Sequence, residues 1–98
     1  MNEYMVTIKF LSFFSEEFVS LIPEQRTQVN DLMEKGIVTS YSLSLDRWTS
    51  WITLSAESRE NAEKVLRTMP LFKFMRYDIS ELMFHNNSIH ASIRFSMN

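Results

Sequence analysis

Chemistry in this 98-residue chain would have to come from two histidines and a few arginines and aromatics. His85 has a side chain whose pKa suits proton transfer near neutral pH. It follows the last long run of strand-like residues, where a pocket mouth is expected. Its plainer reading is a solvated histidine at a strand end. His90 lies five residues further on, so the two would face opposite sides of a continued strand. With no third ligand beside them, a metal pair is not expected, and His90 reads as a tail residue or an inter-subunit contact. Arg26 stands between Ile22 and Val29 on a helical stretch, and its planar fork could hold a carboxylate. The alternative is a solvated helix face, with the arginine stem lying over apolar surface. Arg76 and Asp78 point the same way on a strand and could bind substrate or form an ion pair with a partner subunit. Tyr41, Trp48, Trp51 and Tyr77 are amphipathic aromatics at strand positions, suited to a ligand cavity or to core and interface packing.

Other chemistries find no support. No cysteine is present, so disulfides and thiolate metal sites are excluded. A single glycine cannot build a phosphate cradle, and no G-x-S-x-G elbow or H-E-x-x-H spacing occurs. Basic and acidic residues number 10 and 12 and are interspersed, which argues against a nucleic-acid partner. The apolar stretch from Met5 to Ile22 is broken by Lys9, Ser15, Glu16 and Glu17. It therefore suits neither a signal peptide nor a membrane span, and a cytoplasmic protein with no membrane partner is expected.

The elements that must position these residues can be read from their periodicities. Alternation over Tyr4 to Phe13 predicts a first strand. Pro23 is expected at the first position of a helix, whose apolar stripe is Val29, Leu32 and Met33 and whose left-handed cap is Gly36. Ile37 to Leu45 and Trp48 to Ser55 read as strands joined by a turn at Asp46-Arg47. Ser55 or Ser58 caps a second helix bearing Ala62, Val65, Leu66 and Met69, which Pro70 ends. Phe74 to Phe84 reads as a fourth strand, and Ile89 to Phe95 as a fifth strand or an arm within residues 85–98. The order strand, helix, strand, strand, helix, strand is the split βαβ pattern. It predicts one α+β, ferredoxin-like βαββαβ domain over residues 1–98, with both helices on one face of the sheet.

The first and fourth strands read as apolar on both sides. Met5, Leu11 and Phe13 oppose Val6, Ile8 and Phe10, and Met75, Tyr77, Ile79 and Met83 oppose Phe74, Leu82 and Phe84. Such a sheet needs cover on its second face. A second copy in a two-fold homodimer supplies it, or a higher homo-oligomer does; the alternative is the tail folding back.

The segment Met69-Pro70-Leu71-Phe72-Lys73-Phe74-Met75 resembles the "LPLFPYM" segment of the muconolactone isomerase family. The following "RYDISELMFH", from Arg76 to His85, resembles that family's last strand, which also ends at a histidine. Asn86-Asn87-Ser88-Ile89 resembles its "PSSI" continuation. The resemblance covers about residues 4–89. It implies a dimeric α+β barrel in which two sheets face each other. It also implies an isomerase that shifts a proton within a lactone-like or unsaturated carboxylate, with no metal and no organic cofactor. That reaction needs a base, an acid and a cation for the carboxylate. His85 is the candidate for the proton transfer, with Arg26 or Arg76 for the anion. The family's charged "KAREKA" stretch reads Pro23-Glu24-Gln25-Arg26-Thr27-Gln28 here, and Lys73 replaces a proline. A non-catalytic small-molecule binding or assembly module of the same fold is therefore the alternative, and a cofactor-independent oxygenase of the same barrel group a third.

Overall fold

The computed structural model describes residues 1–12 and 15–85. The elements follow in the order β1 (Asn2–Phe10), α1 (Glu16–Glu34), β2 (Val38–Leu43), β3 (Thr49–Ala56), α2 (Arg59–Arg67), a 3₁₀ turn (Phe72–Phe74) and β4 (Met75–Glu81). The strands form one sheet in the order β2-β3-β1-β4, and each neighbouring pair is antiparallel. This is the expected ferredoxin-like α+β architecture. The fifth strand or arm, His90 included, falls beyond His85 and outside the described residues.

Alternation decides which face each strand presents. Tyr4, Val6, Ile8 and Phe10 of β1 are buried beneath the helices, beside Ile52 and Leu54 of β3 and Ile79 of β4. Phe18, Val29 and Leu32 of α1 and Ala62 and Leu66 of α2 close this core from above. Each large apolar side chain removed from water there contributes roughly 1.5–3 kcal/mol before chain entropy is counted.

The other face departs from the expectation of an apolar surface. Across it run Glu3, Met5, Thr7 and Lys9 of β1, Thr49, Trp51, Thr53 and Ser55 of β3, and Arg76, Asp78 and Ser80 of β4. Only Met5 and Trp51 among these are apolar. β4 alternates cleanly, because Phe74 belongs to the 3₁₀ turn and Leu82, Met83 and Phe84 come after the strand ends. Leu11 likewise follows β1, and Phe13 lies outside the described residues. The two-sided reading thus came from extending both strands too far. A hydroxyl network covers part of this face: Thr53 Oγ1 meets Thr39 Oγ1 at 2.7 Å and also bonds Ser40 Oγ, while Ser55 Oγ donates to Glu3.

Three local features differ from or sharpen the sequence reading. The first helix begins seven residues before Pro23, because Ser15 caps it by accepting the Phe18 N–H at 3.2 Å, with Glu16 and Glu17 in the first turn. Pro23 therefore lies inside α1, where it cannot donate to the Val19 carbonyl. At the other end Gly36 adopts φ +74°, and the bonds Gly36 N to Met33 O (3.0 Å) and Ile37 N to Leu32 O (2.9 Å) complete a Schellman cap. In β2 the register shifts between Val38 and Ser40. Thr39 is the extra residue, and the bulge lets both Val38 and Tyr41 face the helices. For α2 the cap is Ser58, whose hydroxyl accepts the Asn61 N–H at 3.1 Å.

Candidate functional site

The sheet's helical face is not filled to its end. Between the N-terminal half of α1 and the tip of the β2–β3 hairpin lies a cavity of about 560 Å³. Phe10, Phe18, Val19, Ile22, Leu43 and Leu71 give it apolar walls. Phe18 is held edge-on to Phe10 and Phe74, at centroid distances of 5.5 and 5.3 Å, which sets the inner wall.

Four polar side chains also line it: Gln25 and Arg26 from α1, Tyr41 from β2 and Arg47 from the hairpin turn. Arg26 lines the cavity from the middle of α1, one residue past the buried Gln25. Tyr41 does so because of the bulge at Thr39. Arg47 is placed by the turn itself. Its N–H bonds the Ser44 carbonyl at 2.9 Å, and its φ of 69° lies in the left-handed region. Asp46 fastens this turn by accepting the Ser44 hydroxyl at 2.6 Å and the Trp48 N–H at 3.0 Å. Those donors, Ser44 first, hold its carboxyl below the ordinary value. Neither Arg26 nor Arg47 has an ion-pair partner among the described residues. Among the described residues, no carboxylate or histidine lines it. The cavity thus offers two guanidinium groups, an amide and a phenol against an apolar wall. That set can bind an anion with an apolar body.

The remaining sequence candidates lie elsewhere. His85 is exposed, four residues beyond the end of β4, and does not line the cavity. Arg76 and Asp78 are exposed on the open face, level with Lys9 and Thr7 of β1, and no ion pair among the described residues includes either. Trp51 is also on the open face, 40% exposed. Tyr77 faces the helices from β4, with its ring 5.9 Å from that of Phe72 and its hydroxyl 3.3 Å from Glu63. Burial first, and then the Glu63 charge, raise its pKa. Of the residues singled out in the sequence, the cavity brings together Arg26 and Tyr41.

Two polar lining residues, Arg47 and Gln25, are not among the sequence candidates. Arg47 belongs to a turn that lacks a glycine. Gln25 falls on the buried stripe of α1 with Phe18, Val29 and Leu32. A polar residue in register with an apolar stripe is a readable signal. Among the described residues, no group of His, Asp or Glu could hold a metal ion, and no helix is long and apolar enough to cross a membrane.

A comparison with curated proteins found no match. The family model of muconolactone delta-isomerase matches residues 3–88, nearly the whole chain, and the chain belongs to that family.

Proposed function

We propose that the protein binds a small unsaturated or lactone-like carboxylate in the cavity between α1 and the β2–β3 hairpin, and isomerises it by a proton shift. One observation carries this reading: two guanidinium groups share an apolar cavity and, among the described residues, have no ion-pair partner and no acidic neighbour in its lining. Such a site holds the carboxylate by charge-assisted hydrogen bonds and packs the ring against Phe18 and Leu71. Membership of the isomerase family supports the reaction type.

The test is calorimetric titration with 5-oxotetrahydrofuran-2-ylacetate, a saturated lactone carboxylate. Arg26→Gln and Arg47→Gln should each weaken binding about tenfold or more, the loss expected for a hydrogen bond to a charged group. Affinity unchanged in both variants would rule the site out. Turnover is followed separately, as proton exchange and double-bond migration in the unsaturated lactone in D₂O.

A second reading, binding without catalysis, is favoured by the position of His85 outside the cavity. If His85 moves the proton, His85→Ala lowers turnover about a hundredfold. Turnover that survives this change would remove its role, and its absence in the wild type would favour the binding module. Homodimerisation belongs to the same proposal, with the open sheet face and its exposed Trp51 as the contact. Light scattering at micromolar concentration tests it, and a monomeric mass there would refute it.

A further inference from the structure

Gln25 is 4% exposed, yet it lines the cavity. The other buried polar side chains among the described residues are Thr49, Ser50 and Thr53. All three lie on β3, and their hydroxyls bond within the sheet: to Lys9, to the Ser42 carbonyl, and to Thr39 and Ser40. Gln25 is different. Its Oε1 accepts the backbone N–H of Leu71 at 3.0 Å, from the segment that follows α2. A backbone N–H can only donate, so this bond fixes which end of the amide is oxygen. The Nε2 end then has a settled direction and two hydrogens to give. It has no partner among the described residues. Nor is it sealed in, because every fully covered side-chain nitrogen or oxygen among those residues does have a partner. A ligand that covers this donor without accepting from it leaves it unpaired, whereas a ligand oxygen meeting it keeps it bonded.

We infer that Gln25 is a specificity-determining residue: its Nε2 donates to a neutral oxygen of the ligand, so the cavity selects carboxylates that also carry a carbonyl or ring oxygen. The inference rests on the carboxylate reading of the cavity. Arg26 and Arg47 take the charged end, and Gln25 reads the uncharged one. An amide suits the second task, because it can meet a carbonyl without adding charge beside the two arginines. A site built to hydrogen-bond a ligand oxygen discriminates against an analogue that lacks it, because the analogue leaves the buried donor unpaired.

The experiment compares two probes of similar shape and equal charge, 5-oxotetrahydrofuran-2-ylacetate and cyclopentylacetate, which lacks the lactone oxygens. The wild type should bind the lactone about tenfold more tightly. Gln25→Met should bring the ratio near one, while cyclopentylacetate affinity changes less than about twofold. Gln25→Glu separates the reading from a purely structural role, since a carboxylate can still accept the Leu71 N–H but has no hydrogen to donate. It should lose the preference while the Leu71 amide stays protected from hydrogen exchange, as the retained bond requires. In the wild type, the Gln25 side-chain amide resonances should move on adding the lactone and stay still with cyclopentylacetate, a readout that needs no variant. Equal affinity for the two probes, or a preference that survives Gln25→Glu, would overturn the inference and leave the arginine site standing. Failure of both probes to bind would overturn the inference and the site together.

Discussion

The hydroxyl of Tyr77 on β4 stands 3.3 Å from the Glu63 carboxylate of α2, and Glu63 is also flanked by Arg59 at 3.6 Å and Arg67 at 3.5 Å. This joins the edge strand to the helix above it. Burial and the neighbouring carboxylate both penalise the phenolate, so Tyr77 holds its proton above the ordinary value of 10.0. A raised folded-state pKa means that the contribution is complete below pH 10 and is lost as pH rises through the folded value. In an ultraviolet titration, Tyr77 should ionise at higher pH than a solvent-exposed tyrosine. The Tyr77→Phe variant should lack that late step and lose about 0.5–1.5 kcal/mol at neutral pH. A Tyr77 that titrates at its ordinary value would contradict the bond.

Arg47 occupies a left-handed turn position, φ 69°, where glycine is preferred. Relieving that strain in Arg47→Gly gains about 1 kcal/mol, and the greater freedom of glycine in the unfolded chain gives part of it back. The variant should therefore be at least as stable as the wild type by urea denaturation, yet bind the lactone carboxylate about tenfold less tightly. Parallel losses of stability and binding would mean that Arg47 serves the turn and not the ligand.

Much of the fold was legible, because its signals are local. Tyr4, Val6, Ile8 and Phe10 alternate over a strand that does alternate, and Gly36 sits where a left-handed cap must. Pro23 is a misleading start signal because Ser15 caps the helix earlier in the chain, with Glu16 and Glu17 in its first turn. The cavity was less legible for a physical reason. Its polar residues are 22 positions apart, from Gln25 to Arg47, and meet only because a one-residue bulge turns Tyr41 inward and a turn bends Arg47 back. Neither event leaves a periodicity to read. His85 drew attention by residue type, but type alone carries no information about place.

Gly36→Ala isolates a backbone cost. A Cβ built there meets nothing within 4 Å, so crowding adds nothing. What remains is the left-handed φ of +74°, which costs an L-residue about 1 kcal/mol. The expected loss by urea denaturation is therefore about 1 kcal/mol, with unchanged ligand affinity, since Gly36 does not line the cavity. A loss above about 3 kcal/mol would show that the Schellman bonds to Leu32 and Met33 had also broken.

Asp46 ties the hairpin turn through bonds that its carboxylate accepts. Its carboxylate accepts from Ser44 and from the Trp48 N–H, and these bonds lower its pKa below the ordinary 3.8. A depressed folded-state value means that the stabilisation is present above pH 3.8 and is lost as pH falls through the folded value. Protonation removes the charge that both donors favour, which loosens the turn that holds Arg47. The amide proton of Trp48 should shift along the Asp46 titration, with a midpoint below 3.8, and Asp46→Ala should abolish that step. Because Arg47 sits one residue on, Asp46→Ala should also weaken binding of the lactone carboxylate at pH 7, while Asp46→Asn, which keeps one oxygen acceptor, should retain more of it. Identical affinities for the wild type and both variants would show that the arginine reaches the cavity without help from the turn.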